Sequence, residues 1–226
     1  MTPAKPKKRT RDAERSREAI LDAAERQFSD RGFEGVSLQE IASDAGLSRG
    51  APSYFFGSKD SLYEAVLERV FRQRDDATRR AFEPVLFWVD GEGGRAALKR
   101  ALERAISGYL EFLVSRQSFV RLLDWEAIGG AGRMHRGRGD QNGRARARGQ
   151  AMADAYGAVR AVARSRGLAS FDVDDVTLVT VALTFSLVSH QATLMSAFGR
   201  DLSDRTTVKR HTRLVVDQLL HLIAPR

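Results

Sequence analysis

Apolar residues recur at spacings of three and four along almost the whole chain, and no stretch alternates with period two. The pattern predicts an all-α protein. A first helix is expected from about Asp12 to Asp30, with Ile20, Ala23, Ala24 and Phe28 on its core face and Gly32 ending it. Two short helices follow between Ser37 and Phe56. A longer one runs from Lys59 to roughly Arg80, and Phe82 to Gly94 reads as a break because it holds Pro84, Gly91, Gly93 and Gly94. Further helices are expected over Arg95–Arg116, Ser118–Ile128 and Arg144–Arg166, with Gly129–Gly143 the loosest part of the chain. The helix opened by Asp172 and Asp175 runs to about Phe198. It is apolar on nearly every face, with Val176, Leu178, Val179, Val181, Leu183, Phe185, Leu187 and Val188, and such a helix is expected to be buried all round. The last helix is capped by Ser203 or Asp204 and carries Val208, Leu214, Val215, Leu219, Leu220 and Ile223. Two such helices would leave too much apolar surface exposed in a monomer, so Val176–Phe198 and Thr206–Ile223 are expected to pair with their copies in a second chain.

The most specific stretch is Ser37 to Lys59. Ser37 and Glu40 form an S-x-x-E capping box that starts a helix. Leu38, Ile41, Ala42 and Ala45 place apolar atoms on one face, and the small Ala42 lets another helix cross closely. Gly46 suits the left-handed position after the helix end. Ser48 is expected to cap the second helix, with Pro52 near its first turn, where a missing N–H costs little. Tyr54, Phe55 and Phe56 supply a packing side, and Ser58 caps the next helix. Two helices joined by a tight glycine turn describe a helix-turn-helix, whose second helix enters the DNA major groove.

The run Ala19-Ile20-Leu21-Asp22-Ala23-Ala24, then Phe28, Arg31-Gly32-Phe33, Val36-Ser37-Leu38, Ile41-Ala42, Ala45-Gly46-Leu47-Ser48-Arg49-Gly50 and Tyr54-Phe55-Phe56-Gly57-Ser58-Lys59-Asp60-Ser61-Leu62-Tyr63 resembles the tetracycline-repressor (TetR) family of bacterial one-component regulators. The resemblance covers about residues 12 to 70. Ala51-Pro52 stands where Thr-Leu is frequent, and Phe55 where His is frequent. The resemblance implies an N-terminal three-helix DNA-binding domain over residues 12–58, after a basic tail at 1–11, and a larger helical ligand-binding and dimerisation domain over 59–226. It also implies a homodimer joined through the last two helices on a palindromic duplex, and a small-molecule inducer. Arg49, with a planar donor fork suited to guanine, is expected to read bases, as more weakly are Gln39, Gly50 and Ser53. Ser37, Ser48, Tyr54 and Lys59 match family positions that hold phosphates. Trp88, Tyr109, Phe112, Trp125, Tyr156, Phe185 and His190 are aromatic candidates for lining a pocket in the larger domain. They suit an apolar or aromatic ligand, and ordinary core packing accounts for any one of them more simply.

Composition changes the picture in few places. The net charge of +8 favours a polyanionic partner. Lys5, Lys7, Lys8, Arg9 and Arg11 precede the first acidic residue and read as a disordered tail able to follow a phosphate backbone. Arg133, Arg136, Arg138, Arg144, Arg146 and Arg148 read as a solvated loop. There is no cysteine, and His135, His190, His211 and His221 show no metal-binding spacing, so neither metal nor cofactor is expected. The N-terminus has no apolar run, and the longest apolar stretch is too short for a membrane span, so a cytoplasmic protein is expected. No nucleophile elbow, phosphate loop or carboxylate pair points to catalysis. Two other readings remain: a carrier or enzyme with a vestigial helix-turn-helix, and an activator or nucleoid-type binder without a ligand. Against the first, the groove-facing positions keep their polar residues, and no acidic residue falls between Ser48 and Ser58.

Overall fold

The computed structural model describes residues 7–129 and 150–224. Among these, all regular structure is helical. The helices are α1 (Lys7–Arg31), α2 (Leu38–Asp44), α3 (Ala51–Phe56), α4 (Lys59–Asp90), α5 (Arg95–Ser115), α6 (Gln117–Ile128), α7 (Gln150–Ala163), α8 (Val173–Ser189) and α9 (Arg205–Ile223). The basic cluster at Arg133–Arg148, most of the expected loop at Gly129–Gly143 and Lys5 lie outside the described residues. α1 begins at Lys7, so part of the expected tail is helical.

The chain forms two compact units, divided at Phe71 inside α4. The first unit holds α1, α2, α3, the first turns of α4 and the segment of α6 from Arg121 onward. Its core is Ile20, Ala23, Ala24, Phe28, Ile41, Leu62, Tyr63, Val66 and Val70. Phe28 and Phe33 both meet the Tyr63 ring edge-on, at 4.9 and 5.1 Å between centroids. α4 is tied to α1 by Arg69, whose guanidinium reaches Asp22 at 2.7 Å, Glu25 at 2.5 Å and the Leu21 carbonyl at 3.1 Å. Gly32 closes α1 at φ +69°, and a side chain there would collide with the Trp125 ring. The Trp125 indole donates to the Ser29 carbonyl at 3.1 Å. One residue on, the buried Glu126 accepts from the Tyr63 hydroxyl at 2.8 Å, and Arg121 pairs with Asp30 at 2.6 Å.

In the second unit α5 contributes Leu98, Leu102, Ala105, Ile106, Tyr109, Leu110 and Leu113 to the core, with α9 and α8 packed against it. The break expected at Phe82–Gly94 is confined to Gly91–Gly94: α4 continues through Pro84 to Asp90. Proline removes one hydrogen bond, but Phe82, Val85 and Trp88 are buried on one face and hold the helix in place. Its end is secured by Arg166. That guanidinium donates to the Val89 and Gly93 carbonyls, both at 3.0 Å, and to Gly91, and lies 4.9 Å from the Trp88 ring centre. The last carbonyls of a helix lack intrahelical donors, and a cation at that end also meets the negative pole of the dipole.

α8 is covered on one side within a single chain. It ends at Ser189, with a π-turn over Gln191–Met195 before Gly199. Within one chain it buries Val176, Thr180, Thr184 and Val188, and Leu178 stays 66% exposed. The threonines can be buried because each hydroxyl returns to the carbonyl four residues back, at 2.8 Å for Thr180 and 2.7 Å for Thr184. Thr180 also meets the Tyr156 hydroxyl at 2.8 Å. α9 is capped by Asp204, which accepts from the Thr206 and Thr207 amides. It buries Val215, Val216, Leu219, Leu220 and Ile223 and exposes Leu214 and Leu222. Leu219 therefore belongs to the core of its own chain, not to a surface available to a second copy.

Candidate nucleic-acid interface

The helix-turn-helix is built from local hydrogen bonds. The Ser37 hydroxyl accepts from the Glu40 amide at 3.2 Å, and the Ser37 amide donates to the Glu40 carboxylate at 2.8 Å, which makes the reciprocal capping box. Arg31 donates to the same carboxylate at 2.8 Å and to Gln27 at 2.6 Å, while the Gln27 amide reaches the Glu40 carbonyl. Arg26 meets Asp44 at 3.1 Å. The end of α1 thus fixes α2 at both of its ends. Gly46 turns the chain at φ +67°, and the Leu47 amide returns to the Ala42 carbonyl at 2.9 Å.

α3 starts later than Ser48 would start it. The residue before the helix is Gly50, with no side-chain cap, and Ser48 contributes its carbonyl, not its hydroxyl, to a turn closed by the Ala51 amide at 2.9 Å. The cause lies in the turn: it places two residues between Ser48 and the first helical position, out of capping register. Arg49 consequently precedes α3 instead of opening it. Pro52 is buried beneath the helix, and Arg17 of α1 lies 4.9 Å from the Phe56 ring centre.

The outward surface left by this packing carries Gln39, Ser48, Arg49, Gly50, Ser53 and Tyr54, all exposed, with Tyr54 at 85%. No atom lies within 4 Å of a Cβ built on Gly50. Ser37 is exposed, although its hydroxyl is already engaged with Glu40. Lys59 is half-buried, with its ammonium 4.2 Å from the Phe33 ring centre, a contact that holds the positive charge at the start of α4.

The Glu40 carboxyl is held down at about 2 by the Ser37 hydroxyl first, then by Arg31 and the Ser37 amide. A lowered carboxyl stabilises the fold above its ordinary range near 4.5, and that contribution is lost as pH falls toward 2. The gap in melting temperature between the natural chain and Glu40→Ala should therefore be full at pH 7 and close between about pH 4.5 and 2, as a thermal melt at each pH would record. A gap that stayed constant down to pH 2 would remove Glu40 ionisation from the cap.

The aromatic candidates in the larger domain are not gathered around one space. Tyr109 and Tyr156 are fully buried in packing, and burial pushes both phenols up. Tyr156 meets Phe82 edge-on at 5.6 Å. Trp88 donates to the Gly94 carbonyl and is covered by Arg166, and Trp125 belongs to the first unit. Phe185 is half-buried and His190 exposed. Phe112 borders an open groove between α4 and α5 that none of the other six lines. Sequence reasoning did not find that groove. Its signal was available in the helical spacing of Asp76, Arg80 and Pro84 on one element and of Arg104, Gly108 and Glu111 on the other.

A glycine-turned pair of short helices held against α1, with an exposed basic and polar rim, defines a helix-turn-helix DNA-binding protein. Two family models match: "Bacterial regulatory proteins, tetR family" over residues 20–66, and "Tetracyclin repressor-like, C-terminal domain" over residues 99–219. The chain belongs to the TetR family and is a DNA-binding transcriptional regulator. It is 27% identical over 205 residues to the transcriptional repressor NicS of Pseudomonas putida, covering 87% of each chain. It is 44% identical over 63 residues to the regulator RutR of Escherichia coli, 28% of this chain and 30% of that one. A solved TetR-family structure from Marinobacter aquaeolei superposes with a TM-score of 0.67 at 20% identity, over 96% of this chain and all of the other. No helix among the described residues is long and apolar enough to cross a membrane.

Proposed function

We propose that this regulator is a repressor that binds a palindromic operator as a homodimer and leaves it when a small molecule binds the larger domain. In this reading residues 12–58 carry the DNA contacts, and residues 59–226 dimerise and hold the ligand. The observation that carries it is the exposed row Gln39, Ser48, Arg49, Gly50, Ser53 and Tyr54, free of carboxylates and standing on a network that fixes its backbone. The likeness to a named repressor along most of the chain supports repression. Recovery of a genomic site by footprinting, followed by measurement of the adjacent transcript with and without the protein, tests it. A transcript that falls on deletion of the regulator would make it an activator.

Contacts on the operator divide into two kinds. Arg49 is proposed to read a base, with weaker contributions from Gln39, Gly50 and Ser53, and Ser37, Ser48, Tyr54 and Lys59 to hold phosphates. Arg49→Ala should cost about 1–3 kcal/mol on the matched operator and relax specificity at one base pair. Lys59→Ala should weaken matched and scrambled duplexes alike and lower the salt slope by about one. Equal losses on both duplexes for Arg49→Ala would make Arg49 a backbone contact.

A further inference from the structure

The groove between α4 and α5 carries a chemistry that the aromatic candidates do not. α4 lines it with residues from Gln73 to Pro84 and α5 with residues from Arg104 to Ser115, one face of each helix, with Arg116 just past the end of α5. The two helices cross closely at Gly108, where a Cβ would come within 3.2 Å of the Ala81 methyl group. They are joined by a short loop and run antiparallel, so that crossing sets Arg104 level with Pro84 and Arg116 level with Gln73. The floor is apolar: Ala77, Ala81, Pro84 and Phe112. The rim is charged. Asp76 is engaged by Arg79 at 3.0 Å, whereas Arg80 and Arg104 make no ion pair among the described residues. Glu111, the other lining carboxylate, lies seven residues along α5 from Arg104, about 10 Å of helix rise, and the Gly108–Ala81 crossing sets it level with Thr78, close to Arg80. The Pro84 end of the groove therefore carries the Arg104 guanidinium, with Arg80 one turn further along, beside an apolar trough, and neither is in an ion pair among the described residues. Pro84 also has no N–H, which leaves the Arg80 carbonyl without its helical donor.

We propose that the α4–α5 groove binds an amphipathic carboxylate, its head group held by Arg80 and Arg104 and its apolar body laid over Ala81, Ala77 and Phe112. Guanidinium forks match a carboxylate with paired donors and keep their charge at any working pH. A neutral apolar molecule would gain nothing from either fork, and a cation would be repelled. The stretch from Pro84 back to Asp76 rises about 12 Å, room for an extended chain of moderate length. The proposal rests on the ligand-released reading above and names the chemical class of that ligand and the residues that select it.

The test uses the full-length protein with decanoate, decanol and decyltrimethylammonium as probes, followed by calorimetry and by release of a labelled operator. Decanoate should bind and the other two should not, at least tenfold apart. Arg80→Gln/Arg104→Gln, two exposed positions outside the core, should weaken decanoate by more than tenfold while its melting temperature and operator affinity stay unchanged. Decanoate that binds no better than decanol, or that binds the double variant as tightly as the natural chain, overturns the proposal. The two readings separate in the release arm. Decanoate bound at the arginines with the operator retained supports the groove and ends the ligand-released reading. A neutral aromatic that releases the operator from natural and variant protein alike, with decanoate inert, ends the groove proposal and leaves ligand release standing.

Discussion

Leu214→Glu should turn a dimer into a monomer that still folds. Leu214 is 54% exposed on α9, on the face opposite Val215, Leu219 and Ile223, which pack inside the same chain. Leu214, Gln218 and Leu222 follow one another at helical spacing along the exposed side. On α8 the corresponding open face shows Leu178, Ala182 and Ser186, the last two small enough for a second helix to come close. If the two faces meet their copies about a two-fold axis, each substitution occurs twice. Burying an unpaired carboxylate at each site, in place of a leucine worth about 1.5–3 kcal/mol of burial, should cost at least ~5 kcal/mol per dimer, more than a thousandfold in association. Light scattering at micromolar concentration should find the monomer, and operator binding should be lost with it. Leu219→Glu should behave differently. Leu219 is fully buried within one chain, so the charge should unfold the second unit rather than divide a dimer. A folded, fully dimeric Leu214→Glu protein would move the interface elsewhere.

The second large effect is expected in the first unit. Arg69 is 14% exposed and gathers Asp22, Glu25 and, at 3.5 Å, Glu18, together with the Leu21 carbonyl. Removing it leaves three carboxylates of α1 facing α4 without their shared cation, and the Glu25 side chain is only 10% exposed. Breaking a buried pair from one side costs about 3–5 kcal/mol, and the lower end applies here because Asp22 and Glu18 remain in contact with water. Arg69→Ala should therefore destabilise the first unit by about 3 kcal/mol, and Arg69→Lys by less, since an ammonium keeps the charge although it cannot satisfy the same set of acceptors. Trp125, seated on Gly32, gives the first unit its own fluorescence signal for urea titration. In a Trp88→Phe background that signal stands alone, and a shift of the Arg69→Ala midpoint worth less than about 1 kcal/mol would reduce the cluster to surface decoration.

What the sequence revealed was whatever is settled within a few residues. The capping box at Ser37 and Glu40, the Gly46 turn and the Ser58 cap are contacts between near neighbours, and the structure contains each of them. The start of α3 slipped because serine at 48 and glycine at 50 are both good residues before a helix, and the choice rests on the turn between them. Pro84 read as a break because its cost is local, whereas the burial of Phe82, Val85 and Trp88 and the cap from Arg166 come from distant residues. α8 was legible as an apolar helix but not in its orientation. A polar pair, Thr180 and Thr184, faces inward because each hydroxyl finds a carbonyl in its own helix, and the leucine that looks most like core is left outside.

The attachment of α6 to the first unit has a consequence for how the protein comes to be. Ser29, Gly32 and Tyr63 receive their partners from Trp125 and Glu126, some sixty to ninety-six residues later in the chain. During synthesis from the N-terminus, the helix-turn-helix emerges with this side uncovered and stays so until α6 has left the ribosome. The DNA-reading part is thus not a detachable module. A graft that joins residues up to Phe71 onto a foreign partner carries its operator preference but leaves behind the piece that covers its base, and an exchange of specificities between relatives should move Arg121–Ile128 along with the N-terminal segment.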